Sequence, residues 1–352
     1  MGKIGIIGIG VLCFLLLSCQ KDKLETVSLE IKGETLCLKN EEPTKFLFPL
    51  ASDEIRVYSI SKEGVTKDYI KEVDYKLVNN TIQRTKNSTI PNFADHRVVY
   101  KSNHKFEWLP EPNRNPELTI PYVSYVDYST PLVSTNNIQV KSQFVKDLKI
   151  VTIGTSISFG AHTHAQYYTE SDSQTYPNLI AKALSGLTGF KITVKNMSTD
   201  GGGVNQIQDL DLILHEKPDI VILELGMNDH LGSSSDSYLS SLEKAINVFK
   251  QEGIDIILVG FFQQNSDWEL ENVKNTVKYN EILQELSSDY ELYFADIYSA
   301  FESIDKNKLY KDLMGDFMHH PTSFGHQLYY LEVMPFFLTE KPHSPELLKF
   351  LY

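Results

Sequence analysis

The sequence predicts two domains: an antiparallel β-sandwich over residues 29–145, then an α/β domain over 146–340. The second would carry a doubly wound parallel sheet in a flavodoxin-like three-layer arrangement. Three observations predict this. Between Val27 and about Val140 the chain runs in short segments rich in β-branched and aromatic residues, partly alternating and without a helix of convincing length. From Leu148 onward compact apolar runs alternate with amphipathic stretches of helical length, the pattern of a parallel sheet covered on both faces. Finally, 352 residues with 41% hydrophobic content suit two cores better than one.

In chain order, residues 1–18 read as an export signal rather than as fold. Lys3 gives a positive start, Ile4 to Leu17 is an apolar run too short to span a bilayer comfortably, and Ser18 precedes Cys19. A cysteine directly after such a run resembles the lipobox of bacterial lipoproteins. That resemblance implies acylation of Cys19, a membrane anchor there, and a cell-envelope location, with the outer membrane as the expected site. Residues 19–28 are polar and read as a tether.

The sandwich strands are foreshadowed by "VSLEIKG", "EIRVYSI", "RVVYKS" and "LTIPYVSYVDY". Turn signals separate them at Lys62-Glu63-Gly64, Asn79-Asn80 and Asn113 to Pro116. In the second domain the strands are "LKIVTIG", "KITVKN", "DIVILELG", "IDIILVGFF" and "ELYFADI". Helices are expected over 176–187, 204–215, 237–251, 270–288 and 323–338, and 341–352 is a C-terminal tail. Only Cys37 remains once Cys13 is assigned to the export signal and Cys19 to lipidation. With one thiol no internal disulfide can form, and Cys37 between two leucines reads as a small buried hydrophobe. A net charge of −13 disfavours a nucleic-acid partner.

Sites in open parallel sheets form at the carboxyl ends of the strands. The first strand ends in Gly154-Thr155-Ser156. The second leads to Asn196, Ser198 and three glycines from Gly201, and the third to Gly226-Met227-Asn228-Asp229. Before the last helix stands "GDFMHHPTSFGH", 315–326. These types suit acyl transfer. A serine hydroxyl needs a base to become a nucleophile, histidine has the proton affinity for that, and an aspartate can orient the imidazole. A glycine N–H and an asparagine amide can hold an oxyanion. No metal or organic cofactor is required. Gly201 to Gly203 lack the Lys-Ser/Thr of a phosphate loop, and Ser156 lacks the second glycine of an α/β-hydrolase elbow.

Together the four blocks resemble the SGNH, or GDSL-like, hydrolases: Gly154-Thr155-Ser156, Asn196-x-Ser198-x-x-Gly201, Gly226-x-Asn228-Asp229, and Asp316 with His-Pro-x-x-x-Gly-His. The resemblance implies Ser156 as nucleophile, and Ser156, Gly201 and Asn228 as oxyanion donors. It implies Asp316 and a histidine as the remaining catalytic pair. Two departures stand out. Thr155 occupies the usual aspartate position. The spacing from Asp316 selects His319, whereas the spacing to Pro321, Gly325 and His326 selects His320. Because proline at a helix start is a hard geometric mark, His320 is taken as the base and His319 as the fallback. His162, Asp229 and Gln263 are the candidate substrate contacts. Asp229 is also expected to organise the Asn228 loop, and His326 to pack beneath the site. A β-sandwich joined to such a domain on an envelope lipoprotein looks like the carbohydrate esterases, which implies removal of short acyl groups from an acylated glycan. Other readings of the same residues are a lipid-ester hydrolase, an acyltransferase, or a non-catalytic glycan-binding lipoprotein.

Overall fold

The computed structural model describes residues 28–61, 64–95, 97–101, 105–109, 124–132, 138–161, 163, 174–262, 275–304, 310–315, 319–342 and 344–352. Its N-terminal part contains strands β1 (Ser28–Leu36), β2 (Thr44–Lys45), β3 (Ile55–Ile60), β4 (Thr66–Tyr69), β5 (Tyr75–Val78), β6 (Thr81–Arg84), β7 (Arg97–Lys101), β8 (Lys105–Leu109) and β9 (Ser124–Pro131). They form an antiparallel sheet in the order β1-β9-β3-β4, a second in the order β2-β6-β5, and the hairpin β7–β8. Phe46, beside β2, meets Tyr128 of β9 with ring centroids 5.1 Å apart, so the two sheets share an aromatic seam. Asn79 and Asn80 both take positive φ, 48° and 61°, between paired β5 and β6. That is the turn asparagine tolerates best, and its right-handed twist matches the strands it joins.

The second part carries β10 (Leu148–Gly154), α1 (Ser156–Phe159), α2 (Tyr176–Thr188), β11 (Ile192–Asn196), α3 (Leu210–His215), β12 (Ile220–Glu224), α4 (Asp229–Gly232), α5 (Ser235–Gln251), β13 (Asp255–Val259), α6 (Asn275–Asp289), β14 (Tyr293–Ala295), α7 (Ile297–Glu302), α8 (Tyr310–Leu313) and α9 (Ser323–Val333). The sheet order is β11-β10-β12-β13-β14, and every adjacent pair is parallel. All five residues of β12 are buried, as a strand covered on both faces requires. The chain turns from one side of β10 to the other between β11 and β12. The crevice above β10 and β12 is therefore the switch point where such sheets bind ligands.

Three local differences from the sequence reading have physical causes. The helix expected over 204–215 is split: a 3-10 turn at Val204–Ile207 is followed by α3, with non-helical Asp209 (ψ 83°) between them. Pro321 does not open the last helix. It pairs across a bridge with Met314, and Thr322 caps α9 by accepting from the Gly325 N–H at 3.1 Å. The segment read as a tail carries α10 (Ser344–Leu348), which packs on β1 and α9 with Leu347, Leu348 and Leu351 buried.

Buried side chains from both parts, among them Ile31, Val57 and Val126 of the sandwich and Ile150, Val221 and Tyr330 of the α/β part, belong to one continuous core. Polar contacts cross the same boundary. Thr35 Oγ1 of β1 lies 3.0 Å from Thr322 Oγ1 and donates to the Asp312 carbonyl, and the Cys37 N–H donates to Asp312 Oδ1 at 2.7 Å. Cys37 is fully buried. No helix among the described residues is long and apolar enough to cross a membrane.

Candidate active site

Strand β10 ends at Gly154 because nothing larger fits there. A Cβ on this residue would sit 2.7 Å from Ser158 Oγ and 2.8 Å from Glu224 Oε2. Thr155 turns the chain and caps α1, its Oγ1 accepting from the Ile157 N–H at 3.2 Å. Ser156 is therefore the first residue of a one-turn helix above the sheet, only 3% exposed.

Opposite it, a hairpin brings in the histidine. The Gly315 N–H donates to the His320 carbonyl at 2.8 Å, and the Thr322 N–H to the Leu313 carbonyl at 2.7 Å. This ladder fixes the chain on either side of His320, whose Nε2 lies 2.8 Å from Ser156 Oγ. Of the two adjacent histidines it is thus His320 that meets the serine. His319 packs beside it with ring centroids 4.0 Å apart and the rings tilted by 40°. Asp316, the expected orienting carboxylate, lies outside the described residues, as do His162, Gln263 and Cys19.

The loops after β11 and β12 close the other side. Gly201 has φ +68° and no atom within 4 Å of where a Cβ would be. The left-handed backbone, not crowding, makes glycine the right residue here. Asn228 Nδ2 donates to the Gly202 carbonyl at 2.8 Å. An amide nitrogen carries two hydrogens, so this contact holds the Asn228 side chain while one N–H stays available. Asp229 is buried beneath them, and its Oδ1 accepts from the Val204 N–H at 3.0 Å. That bond staples the two loops together, the organising role expected of it. Asn196 Nδ2 donates to the Ser158 carbonyl at 2.8 Å, tying the second block to the first.

The model of the GDSL-like lipase/acylhydrolase family matches residues 152–328, half of the chain. The chain belongs to this family. The GDSL-like domain is similar in fold to an acetylxylan esterase from Geobacillus stearothermophilus, at 18% identity, over 56% of this chain and 97% of that one, with TM-score 0.46. A variant of an acetyl-xylooligosaccharide esterase, printed as from Geobacillus Stearmophilus, gives 20% identity, 52% and 90% coverage and TM-score 0.44. TesA gives 20% identity, 53% and 96% coverage and TM-score 0.42. At these identities the likeness is one of fold. No curated protein matches the chain.

One residue of this GDSL-like site had no signal in the motif blocks. Glu224, the last residue of β12, is fully buried directly behind the serine turn. Its Oε2 accepts from the Thr155 N–H (3.0 Å), the Thr155 hydroxyl (2.9 Å), the Ser158 hydroxyl (2.9 Å) and the Ser158 N–H (3.3 Å). Thr155 stands where the family pattern has aspartate, and a carboxylate from the neighbouring strand fills the space behind the nucleophile position. Burial pushes the Glu224 carboxyl up to about 7, against the pull of those four hydrogen bonds. An acidic residue ending a buried strand next to a hydroxyl-rich turn was the available clue.

His326 and the two phenylalanines that end the run "IDIILVGFF" fall in the core. His326 lies beneath the site, fully buried, with Nδ1 3.4 Å from the Tyr176 N–H, and burial pushes it down to about 3. It is neutral there. Phe261 and Phe262 are fully buried, stacked on His230 and Phe301 respectively, so they are core residues. Among the described residues no group of three or more His, Cys, Asp or Glu side chains is placed to hold a metal ion.

Proposed function

We propose that this protein is a serine esterase that removes short acyl groups, acetyl first among them, from a glycan. The observation that carries the catalytic part is the 2.8 Å approach of His320 Nε2 to Ser156 Oγ at the switch point of the sheet. At that distance the imidazole takes the hydroxyl proton as the oxygen attacks an ester carbonyl. The tetrahedral oxyanion is received by the Ser156 and Gly201 N–H groups and the free N–H of Asn228. His320 then returns the proton to the leaving alcohol, leaving an acyl-Ser156 ester. Water, deprotonated by the same imidazole, releases the carboxylic acid and restores Ser156. Asp316 is assigned the task of holding the imidazole tautomer.

The glycan part is supported by the sandwich that shares a core with the GDSL-like domain. We further propose that Cys19 carries the lipid that holds the enzyme at the envelope. The experiment is hydrolysis of p-nitrophenyl acetate and of acetylated xylan by the wild type and by Ser156→Ala, His320→Ala and His319→Ala. Loss of about 10³-fold or more in kcat is expected for the first two variants, and a far smaller loss for His319→Ala. A wild type inert on acetyl and longer acyl esters alike would overturn the reading in favour of a glycan-binding protein.

A further inference from the structure

A cleft of about 270 Å³ opens beside the proposed oxyanion hole, between the 3-10 turn that follows Gly203 and the first two turns of α5. Gly201 and Asn228 line it together with Gln208, Asn205, Ser237 and Ser241. It therefore includes two residues that would hold the oxyanion. Small-molecule sites start at about 300 Å³, so this is room for one compact group and not for an extended chain.

The lining has a distinct chemistry. Apart from Val204 and the glycines it consists of amides, hydroxyls and one carboxylate. That carboxylate, Asp229, forms the buried floor with Oδ1 engaged by the Val204 N–H and the Ser233 hydroxyl. Its Oδ2 is buried with no partner among the described residues, and burial raises its affinity for a proton. Higher up, the Gln208 side chain is exposed and makes no hydrogen bond among the described residues, and Asn205 uses its Oδ1 on the Gly203 N–H at 3.1 Å. Amides and hydroxyls both donate and accept, as sugar hydroxyls do. An apolar acyl chain gains little here, because burying the polar groups against methylenes would leave them unsatisfied. An anionic group would face the Asp229 floor with no cation in the lining.

We infer that this cleft is a binding subsite for a neutral sugar ring of the substrate, with Gln208 and Ser237 as the residues that read its hydroxyls. The inference rests on the esterase reading for its setting, and names where the glycan would be recognised.

The test uses the full chain and the variants Gln208→Leu and Ser237→Ala, which remove side-chain hydrogen bonding with little change in size. The readout is the ratio of kcat/KM on acetylated xylo- and manno-oligosaccharides to kcat/KM on p-nitrophenyl acetate, which has no sugar. Each variant is expected to lower that ratio about three- to tenfold, the worth of one or two neutral hydrogen bonds, chiefly through KM. A ratio that stays unchanged, or that rises for p-nitrophenyl octanoate relative to acetate, overturns the subsite. A second arm measures binding of the unacetylated oligosaccharides to Ser156→Ala with and without Gln208→Leu. If the wild type hydrolyses no ester, yet Ser156→Ala binds the sugar and Gln208→Leu weakens that binding, the subsite stands and the esterase reading falls. Failure of binding together with an unmoved ratio overturns the subsite alone.

Discussion

Replacing Glu224 by glutamine is expected to remove a pH-dependent weakness built into the serine turn. In the folded chain the carboxyl titrates at about 7, against an ordinary glutamate value of 4.5, because burial penalises the anion. The folded state thus holds its proton more tightly than the unfolded chain does. The linked contribution to stability is fully present below pH 4.5 and is lost as pH rises through about 7. At about 1.4 kcal/mol per pH unit the loss amounts to about 3 kcal/mol. Glutamine cannot ionise. With its carbonyl at the place of Oε2 it still accepts from the Thr155 and Ser158 N–H groups, and its NH₂ faces Thr155 Oγ1, which lies 3.1 Å from Oε1. The assay is urea unfolding of wild type and Glu224→Gln at several pH values from 4 to 9. The difference in unfolding free energy should swing by about 3 kcal/mol in favour of the variant across that window. A difference that stays flat with pH would refute the reasoning, because it would mean that Glu224 titrates alike in both states.

Other consequences follow from the same geometry. Asn228→Ala should cut kcat on p-nitrophenyl acetate by about 10²–10³ while leaving the far-ultraviolet circular dichroism unchanged; a loss of only a few-fold would remove the side chain from the oxyanion hole. Thr35→Val removes the hydroxyl that donates to the Asp312 carbonyl and meets Thr322 Oγ1. It should lower unfolding stability by about 1–3 kcal/mol and lower kcat more than it alters KM, read by denaturation and steady-state kinetics on one preparation. Cys19→Ser should move the expressed protein from the membrane pellet to the soluble fraction, as immunoblotting of cell fractions would show.

The sequence exposed the α/β part well because its signals are local. Each of β10 to β14 is a compact apolar run, and each block of polar residues follows directly on a strand or precedes a helix. Periodicity and the strand-end rule brought the four polar blocks to one edge, and the GDSL-like resemblance singled out Ser156, Gly201, Asn228 and His320 within them. What stayed hidden depends on contacts between segments far apart in the chain. The Asp209 break within 204–215 answers to the packing of loops around Asp229, and no periodicity records that. Glu224 looked like the polar end of a strand, and only the fold shows its carboxylate lying under Thr155 and Ser158. The choice between His319 and His320 was made from Pro321 for a reason the structure changes. The proline opens no helix; it pairs with Met314 in a bridge next to His320.

That bridge also explains why the sandwich is more than an appendage. The hairpin bearing His320 is short, so its geometry is set at its two feet, Asp312 and Thr322. Both feet are gripped at the end of β1, through Thr35 and the N–H of Cys37 just beyond it, in a fully buried setting where water cannot substitute for a lost partner. The serine side of the pair is fixed differently, by four hydrogen bonds onto Glu224 from within the α/β sheet. The proton transfer proposed between Ser156 and His320 would tolerate little displacement, and the packing of the sandwich against the sheet bears on the distance between them. A single core running through both parts is the physical means of keeping that distance at 2.8 Å.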